Sequence, residues 1–183
     1  MQAFWRHGYE STSIGDLRKA TGLNAPSLYA AFGDKRGLFR AALARYRGDP
    51  EDLRRAIDDA PTARDAAAML IEQSVLRFTG TDTPRGCLVA TATASVSAAT
   101  ADLQEEVASV RSETERLLRE RIERDVADGV LDDDADAASL AALVVCTITG
   151  LSTLARDGAD RGKLQAVVAQ ALAGWPLNER LRD

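Results

Sequence analysis

The sequence predicts an all-helical protein, and three observations carry that expectation. Alanine is abundant, aromatic residues make up only 5% of the 183, and alternating β-branched runs are scarce. Apolar residues recur at helical spacing in several stretches, and glycines stand just beyond their ends. Ser, Thr, Asn and Asp stand at the starts of the same stretches, where their side chains can cap a helix. With 45% hydrophobic content, the chain can bury a core in one large domain or two small ones.

The stretch 13–47 reads as two short helices, a tight turn between them, and a third helix. Ile14, Leu17 and Ala20 give the first of these one buried face. Ser13 stands three residues before Asp16, the spacing of a reciprocal cap. Gly22 ends that helix in a left-handed cap. Asn24 caps the second, with Pro26 in its first turn, where a missing N–H costs nothing. Leu28 and Phe32, at i and i+4, are expected to bury against the first helix, and Gly33 closes the second. Asp34 caps the third, which carries Leu38, Phe39, Ala42 and Leu43 on one side. Two short helices around a Gly-containing turn make a helix-turn-helix pattern, whose second helix enters the DNA major groove N-terminus first. Gly-broken helix pairs also occur in helical proteins that bind no DNA.

The run GLNAPSLYAAFGDKRGLF resembles the operator-binding domain of the Tet repressor family of bacterial transcription regulators. The shared features are Gly22, Leu28-Tyr29, Phe32, Asp34-Lys35 and Leu38-Phe39, with Phe4, Gly8-Tyr9 and Ser13 upstream. The resemblance covers roughly the first quarter of the chain and is specific. It implies that Lys35 and Tyr29 bind phosphates, that Ala25, Pro26 and Ser27 face base edges, and that Ser13 belongs to the same surface. Tyr29 as a core tyrosine and Lys35 as a plain solvated charge are the competing readings. The family's first helix is longer than the helix over 1–7 here, so this one looks truncated and Phe4 is expected to have few packing partners. His7, at that helix end before Gly8, reads as a solvated C-terminal cap.

Charge is divided along the chain. Residues 1–48 hold eight Lys/Arg against three Asp/Glu, and the remainder holds fifteen against twenty-five, within a net charge of −5. A basic head on an acidic body fits a phosphate-binding module whose body repels DNA and orients it. Two cysteines, Cys87 and Cys146, make no disulfide framework, and no signal peptide is legible, so a cytoplasmic protein is expected.

Gly48-Asp49-Pro50 breaks the third helix and sets the expected boundary between a DNA-binding domain, 1–48, and a ligand-binding and dimerisation domain, 49–183. A short helix over 51–58 ends at Pro61, and Thr62 caps the next. There Ala67, Leu70, Ile71, Ser74, Val75 and Phe78 form an amphipathic stripe. The stretch 86–101 carries no charge, and its small and hydroxylated residues suggest a helix enclosed by others. The long charged helix over 102–128 has an inner stripe from Leu103 to Val126, and Arg111, Glu115, Arg119 and Glu123 can pair along its outside. The acidic cluster at 132–136 lacks the alternating ligands, central Gly and distal Glu of a calcium loop, and reads as the start of the following helix.

The stretch 137–155 is uncharged and long enough to span a bilayer, but its hydroxyl and alanine content and acidic flanks favour a helix packed on two sides, one of them against a second copy of the chain. The last helix, over 161–175, shows Leu164, Val167, Val168, Ala171, Leu172 and Trp175 on one face. The resemblance implies that the last two long helices of each subunit build a four-helix dimer interface. Its expected residues are Ala142, Cys146, Gly150, Leu164, Val168 and Leu172.

No nucleophile motif, glycine-rich phosphate loop or metal-ligand spacing is present, so neither catalysis nor a cofactor nor a metal is expected. A pocket is expected between the helices over 62–79, 86–100, 102–128 and 137–157, lined by Met69, Gln73, Cys87, Thr91, Val110 and Thr114. Cys87, after Arg85-Gly86 at a helix start, reads either as a reactive sensor thiol or as a small buried residue beside Leu88. Without a reactive thiol, threonines such as Thr91 and Thr93 point to a modest-sized, partly polar ligand. The leading functional reading is a dimeric repressor that binds double-stranded operator DNA and is released by a small-molecule effector, with no membrane role. The alternative is a helical ligand-binding or scaffolding protein that binds no DNA. Ala25, Ala30 and Ala31 give it weight, because they leave few polar side chains to read bases.

Overall fold

The computed structural model of the chain describes residues 1–92 and 100–176. Among them there is no strand, and the helices follow in the order α1 (Gln2–Ser11), α2 (Ile14–Thr21), α3 (Ala25–Phe32), α4 (Lys35–Arg47), α5 (Pro50–Asp58), α6 (Ala63–Phe78), α7 (Leu88–Ala92), α8 (Ala101–Ala127), α9 (Ala137–Arg156) and α10 (Arg161–Ala173). The expected helix over 86–100 is described only as α7. Its continuation and Thr93 lie outside the described residues.

The capping residues act as the local sequence dictates. Ser13 and Asp16 form the reciprocal cap of α2, and Gly22 ends it in the left-handed region. Asn24 caps α3 through the Ser27 amide, Asp34 caps α4 through Gly37, and Thr62 caps α6 through Asp65. Asp49 caps α5 with Pro50 in its first turn, so the predicted helix breaker also starts a helix. Asp136 accepts from the Ser139 amide at 3.0 Å and so opens α9, which accounts for the end of the acidic cluster.

Two apolar cores form, and their border does not follow the chain. One gathers α5, α6, the C-terminal part of α8, α9 and α10 around Ile71, Phe78, Leu118, Ile122, Leu151 and Leu164. The other gathers α1 to α4 around Phe4, Leu17, Leu28 and Phe39, and it takes in Leu88, Val89 and Ala92 of α7 with Leu103 and Val107 of α8. The head therefore packs on the body through apolar side chains from residues far beyond position 48. Each fully buried aliphatic or aromatic side chain contributes about 1.5–3 kcal/mol, so this seam is firm.

The first helix corrects the expectation of a poorly packed Phe4. That ring is fully buried, edge-on to Phe39 at 5.3 Å and stacked with Tyr9 at 6.1 Å. The helix does not stop at Gly8 but kinks there, with φ 76° and ψ 175°. A Cβ at Gly8 would lie 3.2 Å from the Thr91 carbonyl, so glycine serves both the turn and the close approach to α7.

Phe32 departs from the sequence expectation. Helix α3 is only two turns long, Leu28 alone of the pair reaches the core, and Phe32 at its end stays 37% exposed. On α2, Leu17 is buried and Ile14 half-buried, but Ala20 is exposed. On α8, Arg119 pairs with Glu123 at 3.5 Å as expected. Arg111 instead turns to the Val89 carbonyl, and Arg116 takes Glu113 and Glu120.

A buried ion pair, whose burial and distant partners no local pattern signals, closes the bundle. Arg121 holds Asp125 at 2.9 Å, one turn along α8. Its remaining N–H groups donate to the carbonyls of Ile57, Asp58, Ala60 and Pro61. Asp125 in turn accepts the Ala63 amide at 2.6 Å. The α5–α6 turn is thus bolted to α8 with the polar atoms mutually satisfied, the condition under which a buried pair is tolerated.

Candidate nucleic-acid interface and effector cavity

The forward end of α3 is open to solvent. Pro26, Ser27, Ala30 and Ala31 are exposed and Ala25 is half-buried. Tyr29 is 45% exposed, which sets the core-tyrosine reading aside. Ser13 is exposed at the start of α2, where its hydroxyl is committed to Asp16 at 2.6 Å. That hydrogen bond, then the one from the Ser13 amide, holds the Asp16 carboxyl below its ordinary range. Lys35 is neither free nor simply solvated. It is half-buried, donates to the Glu10 carbonyl at 3.3 Å and sits 4.4 Å over the Tyr9 ring. Burial lowers its pKa, an effect opposed by Glu10. The ammonium is therefore fixed in direction, and two of its three donors remain for an anion.

The basic excess of the head is partly spent within the chain. On α4, Arg36 pairs with Asp102 at 2.8 Å, and Arg40 bridges Asp102 and Glu106 of α8. These half-exposed pairs are individually weak, but as a network they brace α4 against the body. Arg18 and Lys19, exposed in the last turn of α2, add cations beside α3 that the motif alone does not single out. Basic residues at the exposed end of a helix of this motif are the signal that could have found them.

The far end of α4 reaches a cavity of about 480 Å³. Its apolar wall includes Leu53, Leu70, Phe78, Val89, Val145 and Ile148. Gln73, Cys87, Val110 and Thr114 line it as expected. Met69 and Thr91 do not. Met69, half-buried one turn before Gln73, stays outside the lining, and Thr91 is buried with its hydroxyl on the Cys87 carbonyl at 2.8 Å. Tyr46, Arg47, Arg77 and Arg111 line the cavity too and escape a sequence reading, because they come from helix ends and faces that pattern alone assigns to solvent.

Cys87 sits where head and cavity meet. Its thiol accepts the Tyr46 hydroxyl at 3.2 Å, and its amide donates to Ser152 of α9 at 2.8 Å. Burial first, then the neighbouring Cys87, pushes the Tyr46 phenol well above the ordinary tyrosine range. The Tyr46 ring lies edge-on to Trp5 at 4.9 Å, and Trp5 donates to the Gly86 carbonyl at 3.0 Å. Arg85 does not serve the thiol as expected. It donates to the Ala155 carbonyl in the last turn of α9, the electronegative end of that helix, and to the Ala159 carbonyl in the turn that follows. Gly86, with φ 80°, lets this strap touch α9, since a Cβ there would fall 2.9 Å from the Ser152 carbonyl.

The expected dimer residues divide. Ala142, Cys146 and Gly150 are exposed along one side of α9, beside Leu143, which is 46% exposed. A Cβ on Gly150 would meet nothing within 4 Å. Leu164, Val168 and Leu172 are buried in the subunit's own core against α6 and α9 and cannot face a partner. The opposite side of α10, with Gln165, Ala166, Ala169 and Ala173, is the exposed one. The apolar stripe on α10 is an inward face; periodicity shows that a helix has such a face, not which neighbour covers it.

Comparison with known proteins agrees with this geometry. Residues 1–42 match the family described as bacterial regulatory proteins, tetR family, and residues 67–172 match the tetracyclin repressor-like C-terminal domain. The HTH-type transcriptional repressor ComR of Escherichia coli K12 is 35% identical over 178 residues, covering 96% of this chain and 85% of ComR. A cysteine-substituted variant of the TetR family regulator CifR, solved with 26-base-pair double-strand operator DNA, is 43% identical with a TM-score of 0.89, covering 96% of this chain and 92% of that one. A TetR regulator from Rhodococcus sp. RHA1 is 38% identical with a TM-score of 0.66, covering 95% and 93%.

Proposed function

The chain belongs to the TetR family of bacterial regulatory proteins and is a DNA-binding transcriptional regulator, and from that premise we propose that it is a homodimeric repressor released from its operator by a small effector. The observation that carries the release mechanism is the course of α4. It begins at Lys35 beside the DNA-facing surface and ends at Tyr46 and Arg47 in the cavity wall. An occupant of the cavity that prefers one position of Tyr46 shifts the same helix that sets the head, and a ligand shifts an equilibrium only by such differential contact.

Dimerisation is supported by α9. This helix is long and apolar enough to cross a membrane, yet it packs in a bundle with α6, α8 and α10, and only 22% of its apolar window is buried within the subunit. A second copy on the Ala142–Gly150 side would cover the rest by an isologous contact. The division of labour is then DNA reading by 1–48, and effector binding and pairing by 49–183. The relatives are transcriptional regulators, which supports a site of action in the cytoplasm. Effector response through the Cys87 thiol and response through a non-covalent cavity ligand both fit the site. Loss of the response to peroxide or a quinone in Cys87→Ser would single out the first.

A mobility-shift titration on the DNA upstream of the chain's own gene tests the DNA reading. Wild type is expected to give a discrete complex. Lys35→Ala should weaken binding on specific and random duplex alike. It should also lower the slope of log affinity against log salt by about 0.9 for each phosphate that the ammonium no longer neutralises. Unchanged affinity and slope would remove Lys35 from the interface.

A further inference from the structure

We infer that the cavity takes an amphipathic organic anion, an apolar body carrying one carboxylate or similar group. This rests on the cavity being the effector site. Every carboxylate in its lining already has a partner. Asp49 accepts the Glu51 amide at 3.0 Å as the cap of α5, Asp52 pairs with Arg55, and Glu113 pairs with Arg116 at 2.7 Å. Of the three lining arginines, Arg47, Arg77 and Arg111, none forms a salt bridge among the described residues, and the contacts of the last two are weak ones. Arg77 lies 5.0 Å over the Tyr46 ring and gives one N–H to the Tyr46 carbonyl at 3.5 Å. Arg111 gives one N–H to the Val89 carbonyl at 3.5 Å. Among the described residues neither forms a salt bridge, so most of their five donors each are unspent at the wall of an otherwise apolar space.

This pattern discriminates between ligand classes. A cationic ligand would meet positive charge without a salt bridge and, of the three carboxylates, only Asp49 without one, its oxygen already taken by the α5 cap. A purely apolar ligand would leave the half-buried Arg111 guanidinium uncompensated and give nothing to Arg77 at the mouth, which is costly for the first and a lost contact for the second. An anion accepts from both forks in charge-assisted, bidentate geometry while its body fills the space among Leu53, Leu70, Val145 and Ile148.

The test uses two fluorescent probes that share an arylamine body, the anionic 1-anilinonaphthalene-8-sulfonate and the uncharged N-phenyl-1-naphthylamine. Titrated into the full-length protein, the sulfonate is expected to bind the tighter of the two. Arg77→Met and Arg111→Met should each weaken it by about tenfold, the effect of removing a charged hydrogen bond, and leave the neutral probe nearly unchanged. Arg77 is exposed, so its variant should fold, which circular dichroism checks. Ile148→Trp, which narrows the cavity, should weaken both probes. If both bind equally and ignore the arginine variants while Ile148→Trp weakens both, the cavity stands and the anion assignment falls. If Ile148→Trp changes neither probe, the probes do not occupy the cavity and its reading as a ligand site falls with the assignment.

Discussion

Replacing Asp125 with alanine is expected to destabilise the fold by about 3–5 kcal/mol, because breaking one partner of a buried pair leaves the other charge uncompensated. Asp125 is only 3% exposed and Arg121 8%. The substitution removes the carboxylate that Arg121 holds at 2.9 Å and orphans the Ala63 amide at the start of α6. Arg121 keeps the carbonyls of 57–61, so the α5–α6 turn stays attached but carries a buried cation with no counter-charge. In a chain of this length the melting temperature should fall by roughly 10 °C. The double variant Arg121→Met, Asp125→Leu should recover part of the loss, since an apolar pair of similar volume often replaces a buried ion pair at little cost. Denaturant titration of the three proteins measures this. A loss below about 1 kcal/mol for Asp125→Ala would mean that the pair is open to water.

The second large effect concerns pairing. Ala142→Glu or Gly150→Arg should convert the proposed dimer to monomers, because each places a charge on the exposed apolar side of α9. Neither residue contributes to the subunit core, so the subunit should stay folded, with a melting temperature lowered by the stabilisation that pairing no longer supplies. Operator affinity should then drop by roughly a thousandfold or more, toward the non-specific level, since one head alone engages half a site. Sedimentation velocity and a mobility shift read the two consequences separately. By contrast, charge at Leu164 should unfold the subunit, as that side chain is fully buried within it. A soluble dimer from both α9 variants would move the interface elsewhere.

How far this is legible in the sequence depends on the range of each interaction. The caps of α2, α3, α4, α6 and α9 are readable because a cap and its amide lie three residues apart. The recognition helix is readable for the same reason, together with the family likeness of 22–39. Burial is readable only as a pattern. The i, i+4 pair Leu28 and Phe32 looks uniform, yet a two-turn helix covers only one of them. The α10 stripe is real, but its partner proves to be the subunit's own core. What stays illegible is long-range and polar. Arg121 meets its carbonyls some sixty positions away, and Tyr46 meets Cys87 across forty-one. Arg85 looks like a companion of the neighbouring thiol, but it binds the end of α9, seventy positions on. Nothing in the local spacing marks such partners.

The central claim is that two heads of one dimer engage a single operator. Hydroxyl-radical footprinting of the upstream DNA, bound by wild-type protein, tests it most directly. The expected result is a pair of protected patches on one face of the duplex, centred about one helical turn, or about 34 Å, apart and related by a two-fold axis. A single patch, or protection that follows no helical repeat, would contradict it.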